Sequence, residues 1–546
     1  MSAGDTPPAA ADAAESRADR LNTRAAGVVG LAVLCSRVLG LAREQIFAAL
    51  FGGGRIMDAF TIAFRIPNLL RDLFGEGALS TAFVTVFTKT AAQQGDAAAW
   101  RLANKAATLT VITLSAITLL GIWTAPWLVA ALAPGFDPGK AVLTVSLTRI
   151  MYPFILLVSL AALVMGMLNA RDVFGIPAMA SSFFNLGSIV GGVLIGYWLD
   201  PHFGPRAITG LAIGTLIGGA LQLLVQLPAL RRLGYVFRPD RQWRDPGVRA
   251  ILRLMGPSVI AASTTQVNVL VNSVFASELG DGPTFWLTVA FRLMQLPLGV
   301  FGVALGTVAL PLLARMAAAG NTQGFRSELA RGMRLAFLMT IPASVGLMVL
   351  AEPIISVLYQ HGRFGAYETA QSAGALRYYA LGLCGYAALK VLVNAFYAID
   401  RRKTPMLVSF VAVALNLALN WLFIVRLHWD HRGLALSTAC VATSNFLILY
   451  LLMRSHLGRL ESRRMAVLLA KVALASAALV AIAWAGAHWL LANWAVQAFW
   501  PKCLGLLLVI AAAGAAFFSC ANALGIGEVR DIATAARRRW QRRGNK

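Results

Sequence analysis

Between Ser36 and Thr81 an otherwise apolar sequence places Arg37, Arg43, Glu44, Asp58, Arg65, Arg71, Asp72 and Glu76 inside or at the mouths of two stretches long enough to cross a bilayer. A charge near the middle of such a span costs about 2.5–3.5 kcal/mol, so several persist together only where they face a cavity or one another. Further along, Arg292 stands in an apolar stretch with no acidic residue within four positions. The embedded excess is therefore cationic, and it is carried by guanidinium groups, which stay protonated when dehydrated and bind phosphate oxygens through paired, charge-assisted hydrogen bonds. The chemistry this favours is recognition of an anionic, phosphate-bearing cargo.

Spacing refines the reading. Arg37 lies about twelve residues, or about 18 Å, into the first stretch, too deep for easy snorkelling, with Ser36 beside it. Glu44 falls within about 20° of the same helical stripe and could pair with Arg37, whereas Arg43 faces another wall. In the second stretch Asp58, Arg65 and Asp72 repeat every seven residues, Glu76 continues the stripe and Arg71 flanks it. Two readings stay open for these charges: they neutralise one another as structural pairs, or they serve cargo and gating. Pro67, Gly75 and Gly77 predict that this span is discontinuous. Arg149 and Arg377 lie close enough to span ends to snorkel; Lys390 and Lys471 are intermediate.

The elements that must position these groups follow from composition. With 58% hydrophobic and 13% charged residues over 546 positions and a mean hydropathy of +0.69, the chain lies far from the soluble range. It reads as an all-α polytopic membrane protein with about fourteen spans, near 25–51, 58–88, 105–133, 141–169, 175–198, 207–230, 250–279, 284–315, 328–351, 370–399, 405–425, 433–453, 466–491 and 501–524. The net charge of +24 does not imply nucleic acid as a partner. Counted loop by loop from a cytoplasmic amino terminus, Lys and Arg divide about 32 to 7 between the two sides, with seven in 231–253 and seven from 530 onward. Both termini are expected in the cytoplasm. Residues 1–24 read as a disordered lead and not as a signal peptide.

The chain also repeats itself at an offset near 227. Ala63, Phe64 and Arg65 recur as Ala290, Phe291 and Arg292; Tyr152 recurs as Tyr379; Gly210, Leu211 and Ala212 recur as Gly433, Leu434 and Ala435. Each repeat holds six spans, an even number, which predicts two pseudo-symmetric lobes in the same orientation. The boundaries are 25–232 for the first lobe, 233–249 for a basic linker, 250–456 for the second lobe, 465–524 for an added pair of spans and 525–546 for a basic tail.

Enzyme chemistry is poorly supported. The segment GFDPGKA (135–141) has the wrong spacing for a phosphate loop, no HExxH or Ser/His/Asp set is visible, and the five cysteines lack metal or CxxC spacing. No cofactor and no metal are expected; transport would draw on an ion gradient, the membrane potential or downstream consumption of the cargo.

The segments SRVLGLARE (36–44), FGGGRIMDAF (51–60), RIPNLLRDLFGEGALSTAFV (65–84), GVALGTVALP (302–311) and NAFYAIDRRKTP (394–405) resemble the MurJ/MviN family of bacterial lipid II flippases. The resemblance implies the multidrug/oligosaccharidyl-lipid/polysaccharide exporter fold, with two six-helix lobes about a cationic cavity, a lipid-facing groove beside the last two helices, and undecaprenyl-diphosphate disaccharide-pentapeptide as cargo. By motif, the family's cavity arginines fall on Arg37, Arg43, Arg71 and Arg292, and Ser36, Asp58 and Glu76 are further functional positions. We add Arg65 as a binding candidate, and Glu44 and Asp72 as ion-pair candidates. Where relatives often carry acidic residues around Arg292, this chain has Phe291 and Gln295, which makes the site more cationic. For a sodium site only Asp400 is an obvious counterpart, and none is assigned. The implied setting is a monomer in the bacterial cytoplasmic membrane, in contact with membrane lipids and with peptidoglycan synthesis machinery. Alternatives are export of another lipid-linked glycan or anionic lipid, or a scaffold that docks partners through 231–253.

Overall fold

The computed structural model describes residues 8–72, 79–458, 460–491 and 499–529. They form nineteen α-helices, and no strand occurs among them: α1 Pro8–Phe51, α2 Arg55–Leu70, α3 Ser80–Gln94, α4 Asp96–Leu132, α5 Pro138–Met151, α6 Phe154–Asn169, α7 Gly175–Leu199, α8 Ile208–Leu224, α9 Leu227–Arg232, α10 Pro246–Ser277, α11 Pro283–Pro297, α12 Val303–Ala318, α13 Thr322–Val349, α14 Ala351–Tyr359, α15 Ala366–Ala398, α16 Lys403–Asn420, α17 His431–Leu457, α18 Ser462–Ala485 and α19 Phe499–Ala523. Helices are what so apolar a chain must form, because backbone N–H and C=O groups in lipid have no water to satisfy them.

Among the described residues, eleven helical segments are long and apolar enough to cross a membrane. The three expected spans outside those eleven, 25–51, 58–88 and 250–279, are helical as well, in α1, in α2 with α3, and in α10. The second of them holds α2, a π-helical stretch that begins at Arg71, and α3; Gly75 and Gly77, where the expected break would fall, lie outside the described residues. Helix α1 begins at Pro8, so the alanine-rich stretch 8–24 is helical and runs on into the first expected span, in keeping with the high helix propensity of alanine.

The chain divides into two compact units. Unit 1 comprises Met1–Phe51, Ala59–Ala131 and Asp137–Gln266; unit 2 comprises Gly52–Asp58, Leu132–Phe136 and Val267–Lys546. In unit 1, α7 and α8 lie side by side along glycine faces. A Cβ at Gly210 or Gly214 would strike the backbone of Gly196 or Gly192, so only glycine permits this approach. Helix α1 packs along α7. The segment 233–245 does not hang free: Asn104 Oδ1 accepts the Arg238 N–H at 3.1 Å, Thr108 Oγ1 accepts the Asp240 N–H at 3.0 Å, and Lys105 Nζ donates to Asp245 Oδ2 at 2.7 Å. These bonds strap the basic linker along α4. Tyr235, buried with Phe87, Leu102 and Leu230, fixes its start.

In unit 2, α15 packs against α13 and α17, and α18 packs against α13 and α19. The residues of α18 and α19 that meet, Val472, Ala475, Val509, Ala513 and Phe517, form one apolar cluster with Leu338 of α13.

Candidate functional site

Unit 1 holds most of the charges singled out by the sequence. On α1, Arg37 is exposed, and among the described residues it has no ion pair and no hydrogen-bond partner, so the pairing with Glu44 that spacing allowed is not made. Asn185 of α7 donates to the Ser36 carbonyl at 3.0 Å, and the missing Cβ of Gly40 admits the same amide, so α1 is pressed to α7 along its Ser36–Gly40 face. One turn further, the Arg43 guanidinium lies 5.1 Å from the centre of the Phe184 ring, a cation–π contact that partly offsets its dehydration. Glu44 is buried at 9% exposure.

Helix α2 carries Arg65, half-buried, and stops at Leu70. Pro67 supplies no N–H for the Ala63 carbonyl, and the next turn widens: Arg71 and Asp72 are π-helical. Arg71 donates from Nε and Nη2 to Asp72 Oδ1 at 3.2 and 2.9 Å, and Gln266 of α10 donates to Asp72 Oδ2 at 3.2 Å. Both Arg71 and Asp72 remain partly accessible, at 22% and 33%. An arginine paired with a neighbouring, partly accessible carboxylate can exchange that partner for a phosphate without being left uncompensated at that contact. Glu76 lies outside the described residues.

In unit 2, Asp58 is fully buried. Its carboxylate accepts the backbone N–H of Gly282 at 2.6 Å and of Phe285 at 2.9 Å, at the amino end of α11. A helix amino terminus presents unpaired donors and a positive dipole end, so the carboxylate's oxygens are satisfied there without water. Gly282 has φ of +110°, and a Cβ on it would run into Trp286, so glycine is required at this junction. Seven residues after Phe285 on α11 stands Arg292, half-buried. Phe291 packs edge-on against Tyr379, ring centres 5.3 Å apart, and Gln295 is exposed. A π-helical turn, Leu298–Gly302, follows Pro297. It begins 227 residues after Arg71, the offset of the internal repeat.

Sequence reading missed a polar network in unit 2. Asn272 of α10 donates to Thr438 Oγ1 at 3.1 Å, Asn420 donates to Asn272 Oδ1 at 2.8 Å and to Asn416 Oδ1 at 3.4 Å, and Ser437 donates to Asn420 Oδ1. Asn416, Asn420 and Ser437 are buried. Its signal was available: two asparagines four apart on α16, inside an otherwise apolar span, share one helix face and need partners. Asp400, by contrast, lies in an exposed turn beside Arg402, at 3.4 Å. The segment 135–141 is a helix start: Asp137 accepts the N–H groups of Gly139 and Lys140, with Pro138 in the first turn of α5. Among the described residues no group of His, Cys, Asp and Glu is placed to hold a metal ion.

Comparison with known proteins now places the chain. The family model described as lipid II flippase MurJ matches residues 47–505. A lipid II flippase MurJ of Burkholderia cenocepacia is 37% identical over 427 residues, 77% of this chain and 81% of that protein. A probable lipid II flippase MurJ of Vibrio cholerae is 36% identical over 434 residues, 78% and 81% respectively. Among solved structures, a lipid II flippase MurJ in an inward closed conformation superposes with a TM-score of 0.72 at 24% identity, over 90% of this chain and 98% of that one. An inward-facing multidrug resistance transporter of the MATE family and MOP superfamily gives 0.66 at 16% identity, over 78% and 96%; these two likenesses bear on the fold.

Proposed function

Since the chain belongs to the MurJ family of lipid II flippases, membrane transporters and not enzymes, we propose that it carries lipid II from the inner to the outer leaflet of the bacterial cytoplasmic membrane by alternating access through a cationic cavity. Arg37, Arg43 and Arg71 of unit 1 and Arg292 of unit 2 bind the diphosphate, with Arg65 and Ser36 as further contacts, while the polyprenyl tail stays in lipid beside α18 and α19. The observation that carries this reading is Arg37: a guanidinium deep in an apolar span, without a counter-charge among the described residues, is stable in a membrane only once an anion reaches it. Arg71 complements it. Its bond to Asp72 is the contact that the cargo phosphate replaces.

In this mechanism the two bonds from α11 to Asp58 exist in one access state and break in the other, and Glu44 and Glu76 supply ion pairs to the alternate states. No cofactor is required. A loaded site that stays net positive is biased by the membrane potential at about 2.3 kcal/mol per charge per 100 mV. The protein acts as a monomer of two six-helix lobes with both termini in the cytoplasm, and its product supplies peptidoglycan synthesis. A scaffold that docks partners through 231–253 fits less well, because that segment's backbone is strapped along α4.

The test is lipid II exposure at the outer face of cells depleted of this protein and complemented with wild type or Arg37→Ala. Exposure should vanish on depletion and return only with wild type. Unchanged exposure in depleted cells without another flippase would reject lipid II as the cargo.

A further inference from the structure

Where α18 begins and α19 ends, unit 2 contains a basic pocket that the transport reading does not use. Arg464, Val467, Leu468 and Lys471 follow the i, i+3, i+4, i+7 pattern and so share one face of α18. They border an open cavity of about 600 Å3, together with Arg334, Arg463 and the turn after α19. That turn is built by the sequence. Gly525 takes φ of +67° and lets the Ile526 N–H reach back to the Ala521 carbonyl at 3.1 Å, which closes the helix and drives Ile526 into the apolar cluster beside Leu468. Glu528 is thereby set against Arg334. The Arg334 guanidinium spans two carboxylates, donating from Nε to Glu528 Oε1 and from Nη1 to Glu461 Oε2, both at 2.6 Å. This triad ties α13 to the chain on either side of the α18–α19 pair.

Four cations, Arg334, Arg463, Arg464 and Lys471, thus border the pocket beside one lining carboxylate, Glu528, which is paired with Arg334, while Glu461 is shared between Arg334 at 2.6 Å and Arg464 at 3.6 Å. Among the described residues Arg463 and Lys471 have no ion-pair partner. Lys471 is nine residues into α18, at about 14 Å from its start, and its side chain tilts toward the amino end, toward the level of Arg463 and Arg464. Val467 at 49% and Leu474 at 60% exposure extend an apolar strip from the pocket along the same helix toward the middle of the span. A cluster of cations at the level of headgroups above an apolar strip is the pattern of a phospholipid site, phosphate above and acyl chain below.

We infer that the pocket framed by Arg463, Arg464, Lys471 and the 525–528 turn binds the headgroup of an anionic phospholipid of the surrounding leaflet, a site separate from the arginines assigned to cargo. The inference rests on the membrane placement of α18 and α19 and not on the identity of the cargo. The phosphate meets Arg463 and Lys471, Arg464 caps it from the water side, and the Arg334 triad keeps the pocket open by holding Glu528 away from the cations.

The purified full-length protein, delipidated in detergent and titrated with phosphatidylglycerol or phosphatidylcholine, tests this by native mass spectrometry. The variant R463Q/K471Q should lose phosphatidylglycerol affinity by about tenfold or more, since each cation near a headgroup is worth roughly a factor of five, while phosphatidylcholine binding stays as in wild type. The control R401Q/R402Q, on an exposed turn, and Arg37→Ala should both retain phosphatidylglycerol. Unaltered binding by R463Q/K471Q overturns the site. Loss of binding in Arg37→Ala would move the lipid to the cargo arginines, and displacement of phosphatidylglycerol by millimolar inorganic phosphate would make the pocket a soluble-anion site; either result overturns the inference too.

Discussion

Helices α2 and α11 are repeat-related, each followed by a π-helical turn, at 71–72 and at 298–302, yet the two turns carry opposite chemistry. In the first, Arg71 and Asp72 occupy the widened turn; in the second, Leu298 and Gly299 do. The backbone cause is shared, since Pro67 and Pro297 each leave a carbonyl one turn earlier without its donor. What duplication preserved is a place where the helix opens, and what diverged is what it presents there. Unit 2 keeps one arginine of the pattern, Arg292, with Phe291 and Gln295 beside it, and places a buried polar network in uncharged amides on α10 and α16 and hydroxyls on α17. Charge at one opening and neutral amides elsewhere is the asymmetry expected if one half chiefly holds the cargo's phosphates and the other chiefly holds shape.

The sharpest way to break that comparison is to keep the charge and remove the fork. Arg71→Lys and Arg292→Lys should each reduce outward lipid II exposure by about tenfold, because ammonium cannot form the paired bonds that guanidinium makes to phosphate. Should both variants transport normally, the halves differ in appearance only and bidentate recognition is wrong. Asp72→Asn separates binding from pairing: it removes the charge of the carboxylate that Arg71 contacts at 2.9 Å, so the variant should bind lipid II more tightly and release it more slowly.

Asp58→Ala strikes the opposite half. It strips two backbone donors at the start of α11 of a buried carboxylate and should lower stability by about 3 kcal/mol, measured as loss of thermal or denaturant resistance in detergent. Asp58→Asn retains one acceptor and should cost less. A fully stable Asp58→Ala would mean that α11 does not depend on this cap. Asn420→Ala should cost about 1–2 kcal/mol, in line with interhelical hydrogen bonds in membranes, and a double-mutant cycle with Asn272→Ala should show coupling between them. Additive losses would dissolve the network into separate contacts.

Much of this architecture was legible in the chain. Runs of about twenty apolar residues located the helices, because lipid leaves a backbone no other choice, and the 227-residue offset exposed the duplication that the two π-helical turns repeat. The embedded arginines stood out because their cost is high. Less visible was where each charge turns. Arg37 and Glu44 share a stripe, but only Glu44 is buried, while Arg37 stays exposed beside the Ser36–Gly40 face that Asn185 of α7, 149 residues away from Ser36, covers. Asp58 looked like one of a self-balancing row with Arg65 and Asp72, yet it serves the amino end of a helix 224 residues downstream. Periodicity reports which residues share a face; it is silent on which helix arrives at that face, and for buried polar groups the arriving helix decides the role.

The smallest expected effect concerns the strap along α4, which belongs to the charged half but to its water-facing edge. Burial pushes the Asp245 carboxyl up, but the hydrogen bond and charge of Lys105 and the N–H groups of Gly247 and Val248 outweigh it and hold it below the ordinary carboxylate range. A group whose pKa falls on folding contributes stability that is present above its unfolded value and is lost as pH drops through the folded one. The strap should therefore be intact at neutral pH and loosen only in acid, below about pH 4. Because the pair is partly exposed, at 11% and 26%, its contribution should be under about 1 kcal/mol and should shrink with salt. Hydrogen exchange of residues 233–245 in detergent would show it: faster exchange below pH 4 in wild type after correction for intrinsic rates, and acid-independent exchange in Asp245→Asn. If the wild-type strap exchanges alike at both pH values, then Asn104 and Thr108 alone hold it, and the basic linker owes its place to neutral hydrogen bonds, as the Asn272–Asn420–Ser437 network of unit 2 does.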